Sequence, residues 1–167
     1  ELVRILSGHP DVDLTLITSR KQAGQDYDAI YPALKKFVRL AFADSDATVV
    51  AENADVAFLA LPHKASMGMA PGLLDAGLRV VDLSADFRFK NQAAYEAHYQ
   101  PHSCAHLLET SVYGLCERFA DRIAKADLIG NPGCYPTSVL LPLLPLITTN
   151  APFSTERDTS SRTERTR

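Results

Sequence analysis

The stretch "ENADVAFLALPHKASMGMAPGLLDAGLRVVDLSADFR", residues 52–88, decides the fold. Residues 52–62 form a nearly continuous apolar run ended by Pro62, the pattern of a strand buried on both faces. Residues 65–78 have the length of a helix, are weakened by their own Gly and Pro, and stop at Gly77. Residues 79–88, "RVVDLSADFR", return to strand. Strand, helix and strand in this order predict parallel strands joined by a crossover helix.

The flanks extend the same alternation. "ELVRILSGHPD" reads as the last turns of an amphipathic helix, so that the chain begins inside one. Leu2, Val3, Ile5 and Leu6 form its stripe, and Gly8 suits the left-handed position after it. "DVDLTLITSR" (11–20) alternates like a half-buried strand, and "KKFVRLAF" (35–42) is a second short strand. Downstream, residues 91–99 predict a short helix, "PHSCAH" (101–106) a loop and "KADLIGNP" (125–132) a last strand. The fold class is α/β, doubly wound, with a mostly parallel sheet. No internal repeat is present. "STERDTSSRTERTR" (154–167) has no apolar residue and reads as a disordered or artefactual tail covering 150–167.

Composition narrows the function. The chain has 167 residues, 46% hydrophobic and 22% charged, the balance of a soluble globular protein. A formal charge of −3 gives no footprint for nucleic acid. No apolar run reaches the roughly 20 residues a membrane span needs, and no secretory leader is visible. Three cysteines without a C-x-x-C pair favour neither a disulfide framework nor a zinc ribbon. A reduced cytoplasmic protein is the expectation.

In a parallel α/β sheet the ligand sits beyond the carboxyl ends of the strands. Four segments therefore carry the chemistry: "TSR" (18–20), "LPHK" (61–64), "LSADFR" (83–88) and "GNPGC" (130–134). At the end of a second strand an acidic residue favours NAD, whereas an arginine accommodates the extra phosphate of NADP. Ser19 and Arg20 stand there, so NADP is expected; the other reading is a solvated arginine opening a loop. His63 and Lys64 form either a loop beside the cofactor or a polar surface turn. Ser84, Asp86 and Arg88 crowd the end of an apolar strand. Arg88 can grip a carboxylate or phosphate, or form a local surface pair with Asp86.

Cys134 stands in "IGNPGCYPTSVLLP" (129–142). Gly133 permits a tight turn, and Pro136 suits the first turn of a helix. The thiol would meet the free N–H groups and positive end of that helix, surroundings that make cysteine reactive and stabilise an oxyanion. A buried structural cysteine would not need such corners. Pro142 and Pro145 should kink or shorten the helix. His98, His102, Cys104 and His106 are metal ligands by type but fit no standard spacing, so no metal site is expected. Cys116 reads as a small apolar filler.

These segments, with "ELVRILSGHPDV", "YGL" and above all "NPGCYPTS", make residues 1 to about 147 resemble N-acetyl-gamma-glutamyl-phosphate reductase, of the semialdehyde dehydrogenase superfamily. The resemblance implies a Rossmann-like domain over 1–130, incomplete at both ends, and a catalytic domain only begun at 131–149. It implies NADP-dependent reduction of a small acyl phosphate in arginine biosynthesis, by an enzyme that forms homo-oligomers at full length. Cys134 would form a thioester. Ser19, Arg20, His63, Ser84 and Pro132 would lie along the cofactor cleft, and Arg88 would anchor the substrate. The family also has a Gly-rich loop before the first helix and a general-base histidine after the cysteine. Neither is in this sequence, so an inactive fragment is expected. The alternatives are a non-catalytic binding fragment, an aspartate-semialdehyde-type dehydrogenase and, weakest, a metal-binding module on the histidine loop.

Overall fold

A computed structural model describes residues 1–62 and 64–148. They belong to two compact units, the first Glu1–Gly133 and the second beginning at Cys134.

The first unit opens with α1 (Leu2–Leu6), whose Arg4 pairs with Glu1 on its exposed side. The helix ends at Ser7 in a right-handed conformation, so Gly8 is not the left-handed residue expected there; the positive-φ glycines are Gly24 and Gly77. Strand β1 (Ile17–Thr18) pairs parallel with β2 (Phe42–Ala43), with Ile17 opposite Phe42. Both strands are shorter than the apolar patterns suggest, because a strand extends only as far as its ladder. Residues 11–16 have no partner strand among the described residues, and the segment before β2 spends its apolar residues elsewhere. It forms α2 (Tyr27–Ile30) and a 3-10 turn (Pro32–Leu34) around a small core of Tyr27, Val38 and Phe42.

The stretch that decides the fold behaves as a strand–helix–strand unit. Helix α3 (Ala47–Asn53) runs up to it, capped by Asp46, which accepts from Thr48 N (2.8 Å) and Val49 N (3.4 Å). The strand therefore starts later than the apolar run: β3 is Val56–Leu59. Only Ala57 and Leu59 are buried, while Val56 and Phe58 are 45% and 37% exposed. Burial on one face replaces the expected burial on both.

Helix α4 (Ala65–Asp75) continues through Pro71. Proline offers no N–H to the carbonyl of Met67 four residues back; the Cys104 thiol donates to that oxygen instead, at 3.7 Å. Gly77 ends the helix at φ +86°, with Leu78 N bonded to Leu73 O (3.0 Å) and Gly77 N to Leu74 O (2.9 Å). Strand β4 (Arg79–Asp82) then pairs parallel with β3, Val56 opposite Arg79.

The remaining elements are α5 (Gln92–Glu96), α6 (His106–Thr110), β5 (Val112–Tyr113), α7 (Cys116–Ile123) and β6 (Leu128–Gly130). They complete a four-stranded, all-parallel sheet in the order β3-β4-β6-β5. Its core is built on Leu73, Val80, Phe87, Tyr95, Leu108 and Leu128. The two sheets are separate, and a cavity of about 1550 Å³ lies along α1, β1 and β3. The second unit contains α8 (Cys134–Thr148), which runs through Pro142 and Pro145 for 15 residues without the expected shortening.

Candidate active site at the carboxyl ends of the strands

At the end of β1, Ser19 continues the ladder by donating its N–H to the Ala43 carbonyl (3.1 Å). Its hydroxyl reaches Gln22 Oε1 at 3.4 Å. Arg20 is exposed, and among the described residues it makes no ion pair. An acidic side chain is absent from this strand end, which holds a hydroxyl and a cation.

At the end of β3, His63 lies outside the described residues. Its neighbour Lys64 has φ +82° and is the non-glycine residue with positive φ among the described residues. Few side chains accept that conformation without strain. Lys64 opens α4 without a side-chain cap, and its own N–H is held by Asp86 Oδ2 at 2.9 Å.

The loop after β4 is the centre of the site. Asp82 and Asp86 have no exposed surface, and Ser84 is also buried. Asp82 accepts Ser84 N (3.1 Å) and Ser84 Oγ (2.7 Å), and Asp86 N donates back to Ser84 Oγ (3.1 Å). Asp86 Oδ1 accepts the Tyr95 hydroxyl at 2.8 Å. Burial first, and the Asp86 bond second, push the Tyr95 phenol well above the ordinary tyrosine range, so it stays a donor. His102 is fixed as well: Nδ1 accepts from Cys104 N (3.3 Å), which makes Nε2 the donor to the Asp86 carbonyl (2.8 Å). A local surface pair of Asp86 with Arg88 is the alternative that the sequence leaves open beside a ligand-gripping Arg88. The structure instead sinks Asp86 into a network reaching Lys64, Tyr95 and His102.

Arg88 reaches the end of β6. Its Nε donates to the Asn131 carbonyl (2.6 Å) and its Nη2 to the Leu83 carbonyl (2.8 Å). Asn131 N in turn donates to Asp82 O at 2.8 Å. The two backbones lie so close that a Cβ on Gly130 would stand 2.3 Å from the Phe87 carbonyl oxygen. Glycine is required there by contact, not by its own dihedrals. Pro132 follows, half-buried. The ends of β3, β4 and β6 are thus joined through "LSADFR", while Ser19 and Arg20 end the separate β1.

Cys134 is the first residue of α8 and exposed, with Pro136 in the first turn, where a missing N–H costs nothing. Cys116 is also exposed, and Cys104 is buried with its thiol pushed up by burial. Among the described residues no three metal-ligating side chains gather; His102 and Cys104 point their polar atoms at Asp86 and Met67.

Tyr95 and His102 were missed as site-supporting residues. Both partners lie on Asp86, 9 and 16 positions away, in a segment whose helix and loop carry no motif of their own. Only the buried acid in an apolar strand end signalled them.

The family model of the semialdehyde dehydrogenase NAD binding domain matches residues 1–126. The chain is 51% identical over 147 residues to an N-acetyl-gamma-glutamyl-phosphate reductase of Desulforapulum autotrophicum, covering 88% of this chain and 43% of that protein. It is 52% identical, with the same coverage, to one of Syntrophobacter fumaroxidans. The chain therefore spans less than half the length of the curated relatives it matches. An aspartate semialdehyde dehydrogenase II from Vibrio cholerae, solved as a complex with ASA, superposes with a TM-score of 0.62 at 18% identity. That likeness covers 89% of this chain and 42% of the solved one, and shows the Rossmann-like fold. Among the described residues no helix is long and apolar enough to cross a membrane.

Proposed function

The chain belongs to the semialdehyde dehydrogenase family, whose NAD binding domain it carries, and from that premise we propose that it is part of an NADP-dependent reductase of N-acetyl-gamma-glutamyl phosphate. The observations that carry this reading are, in the first unit, an exposed Arg20 beside Ser19 that makes no ion pair among the described residues and a buried hydrogen-bonded "LSADFR" loop, and, in the second, an exposed Cys134 opening α8. The names of relatives at about half identity supply the substrate.

Cys134 is the nucleophile. Its sulfur attacks the acyl carbon, the C–S bond forms as the bond to the phosphate oxygen breaks, and phosphate leaves. The α8 N–H groups stabilise the oxyanion formed on the way. A nicotinamide dinucleotide would be held by Arg20 on its 2′-phosphate and Ser19 on the adjacent ribose, with Ser84 and Pro132 along the cleft; His63, expected there as well, lies outside the described residues. NADPH, when bound, supplies the hydride that reduces the acyl group to the aldehyde and frees the thiol. Arg88 positions the "NPG" corner through its carbonyl bonds and faces the substrate from there.

The cavity between the sheets fits the same reading. One parallel strand between β1 and β3 would give a single sheet in the order β2-β1-strand-β3-β4-β6-β5, and the Gly-rich phosphate loop belongs at its end, just before α1. On this reading Cys134 is the residue that accepts the acyl group.

Mass spectrometry tests this directly. Incubation with the acyl phosphate, generated in place by a kinase, should add one acetylglutamyl mass to Cys134 that hydroxylamine removes and Cys134→Ser lacks. Acylation spread over all three cysteines would overturn the assignment.

A further inference from the structure

We propose that Asp86 is a positioning residue, whose buried carboxylate holds the strained turn at Lys64 and so fixes the end of β3 toward the ligand. The proposal rests on reading the strand ends as the ligand-binding end. Each polar atom of Asp86 has a fixed partner. Its N–H meets Ser84 Oγ (3.1 Å) and its carbonyl meets His102 Nε2 (2.8 Å). Carboxylate Oδ1 meets the Tyr95 hydroxyl (2.8 Å), and Oδ2 alone reaches across to the next strand end, at Lys64 N (2.9 Å).

That last bond is where the physics is unusual. A carboxylate with no exposed surface has given up its hydration, which is costly unless its partners are firm donors. Among the described residues no cationic side chain stands with those partners. One of them is the backbone of a lysine at φ +82°, ψ −32°, a conformation that persists only when its surroundings hold it. A carboxylate accepts a backbone N–H more strongly than a neutral oxygen does. The charge is therefore spent on the Lys64 turn, which begins α4. Tyr95, on the other oxygen, anchors Asp86 to the core where it stacks with Tyr99 at 4.9 Å. The two arms have different tasks: one holds Asp86, the other holds the turn.

Hydrogen exchange on the full chain separates them, with no ligand required. In Asp86→Asn the Lys64 amide should exchange at least ten-fold faster, while amides of β4 and β6 keep their protection. In Tyr95→Phe overall stability should drop, with Lys64 following the global change only. Lys64→Gly, which tolerates the turn unaided, should recover most of the stability lost in Asp86→Asn. If Asp86→Asn and Tyr95→Phe accelerate all sheet amides alike, or the glycine rescues nothing, the residue is ordinary core and the proposal is wrong. NADPH titration of the same proteins then reports on the ligand reading separately, since loss of the turn is scored without it.

Discussion

Arg88 and Asn131 are 43 residues apart in sequence and joined by a 2.6 Å bond from the guanidinium Nε to the backbone carbonyl. With Nη2 on the Leu83 carbonyl, the side chain bridges the ends of two neighbouring strands. The bridge needs two donors at fixed angles, which a planar fork supplies and an ammonium does not. Arg88→Lys should lose about 2 kcal/mol in urea unfolding, the scale of charge-assisted bonds to partly buried carbonyls. A loss below a few tenths would show that water replaces both bonds at no cost.

Gly130 and Gly68 make opposite predictions from the same substitution. A methyl on Gly130 would meet the Phe87 carbonyl at 2.3 Å and the Arg88 nitrogen at 3.0 Å, both backbone atoms. Gly130→Ala should cost more than about 3 kcal/mol or abolish folding, since the strand and loop cannot both stay. Gly68 lies inside α4 with nothing within 4 Å. Gly68→Ala should stabilise by about 0.5–1 kcal/mol through helix propensity and the unfolded chain's lost freedom. Thermal melts of the pair check both signs.

This contrast also explains what the sequence made legible. The strand–helix–strand order, the helix stop at Gly77 and the presence of a last strand within 125–132 follow from periodicity and local steric rules, which a linear reading captures. The lengths of β1 and β2 do not, because pairing partners decide where a ladder stops. Nor does the setting of Asp86: its partners are 22 positions upstream and 9 and 16 downstream. Arg88, two residues away, was the obvious local partner and is engaged with carbonyls instead. Pro71 reads as weakening its helix and Pro142 as kinking or shortening its own, yet Cys104 answers the carbonyl that Pro71 leaves open.

Tyr95 should leave its mark on alkaline stability. Its phenol is raised in the fold, chiefly by burial and then by Asp86. A group raised by folding stabilises below its unfolded pKa and loses that contribution as pH rises toward the folded one. Stability should therefore fall as pH climbs above about 10, where the unfolded tyrosine ionises first. Tyr95→Phe should be less stable at neutral pH and show a flatter alkaline slope. Some slope should remain, since Tyr27 is also raised by burial. An unchanged slope in the variant would remove Tyr95 from the account.

The three thiols should separate by exposure. Cys104 is buried and raised by burial, and donates to the Met67 carbonyl. Iodoacetamide near neutral pH should leave it unmodified until the protein unfolds, while Cys116 and Cys134 react in the native state. Cys104→Ala should lower the melting temperature, because the Pro71-opened carbonyl loses its donor. Peptide mapping of native and urea-treated samples distinguishes the cases, and early labelling of Cys104 would contradict its placement.

The cavity between the sheets predicts the effect of lengthening the chain. Among the described residues one edge of β1 and one edge of β3 have no partner strand, and both strands line the same space of about 1550 Å³. That exceeds the roughly 300–1,000 Å³ of small-molecule pockets, and strand edges offer backbone donors and acceptors rather than a ligand-shaped wall. Val56 and Phe58 stand partly exposed there, an arrangement that favours burial by an added strand. Extending the chain at Glu1 with a segment able to pair with β1 and β3 should raise the melting temperature by about 2–4 °C, the shift that about 1 kcal/mol produces in a domain of this size. It should also slow exchange of those β3 amides that face away from β4. If the longer chain melts at the same temperature with β3 exchange unchanged, the added segment lies elsewhere, and the one-sheet arrangement with its phosphate loop before α1 must be given up.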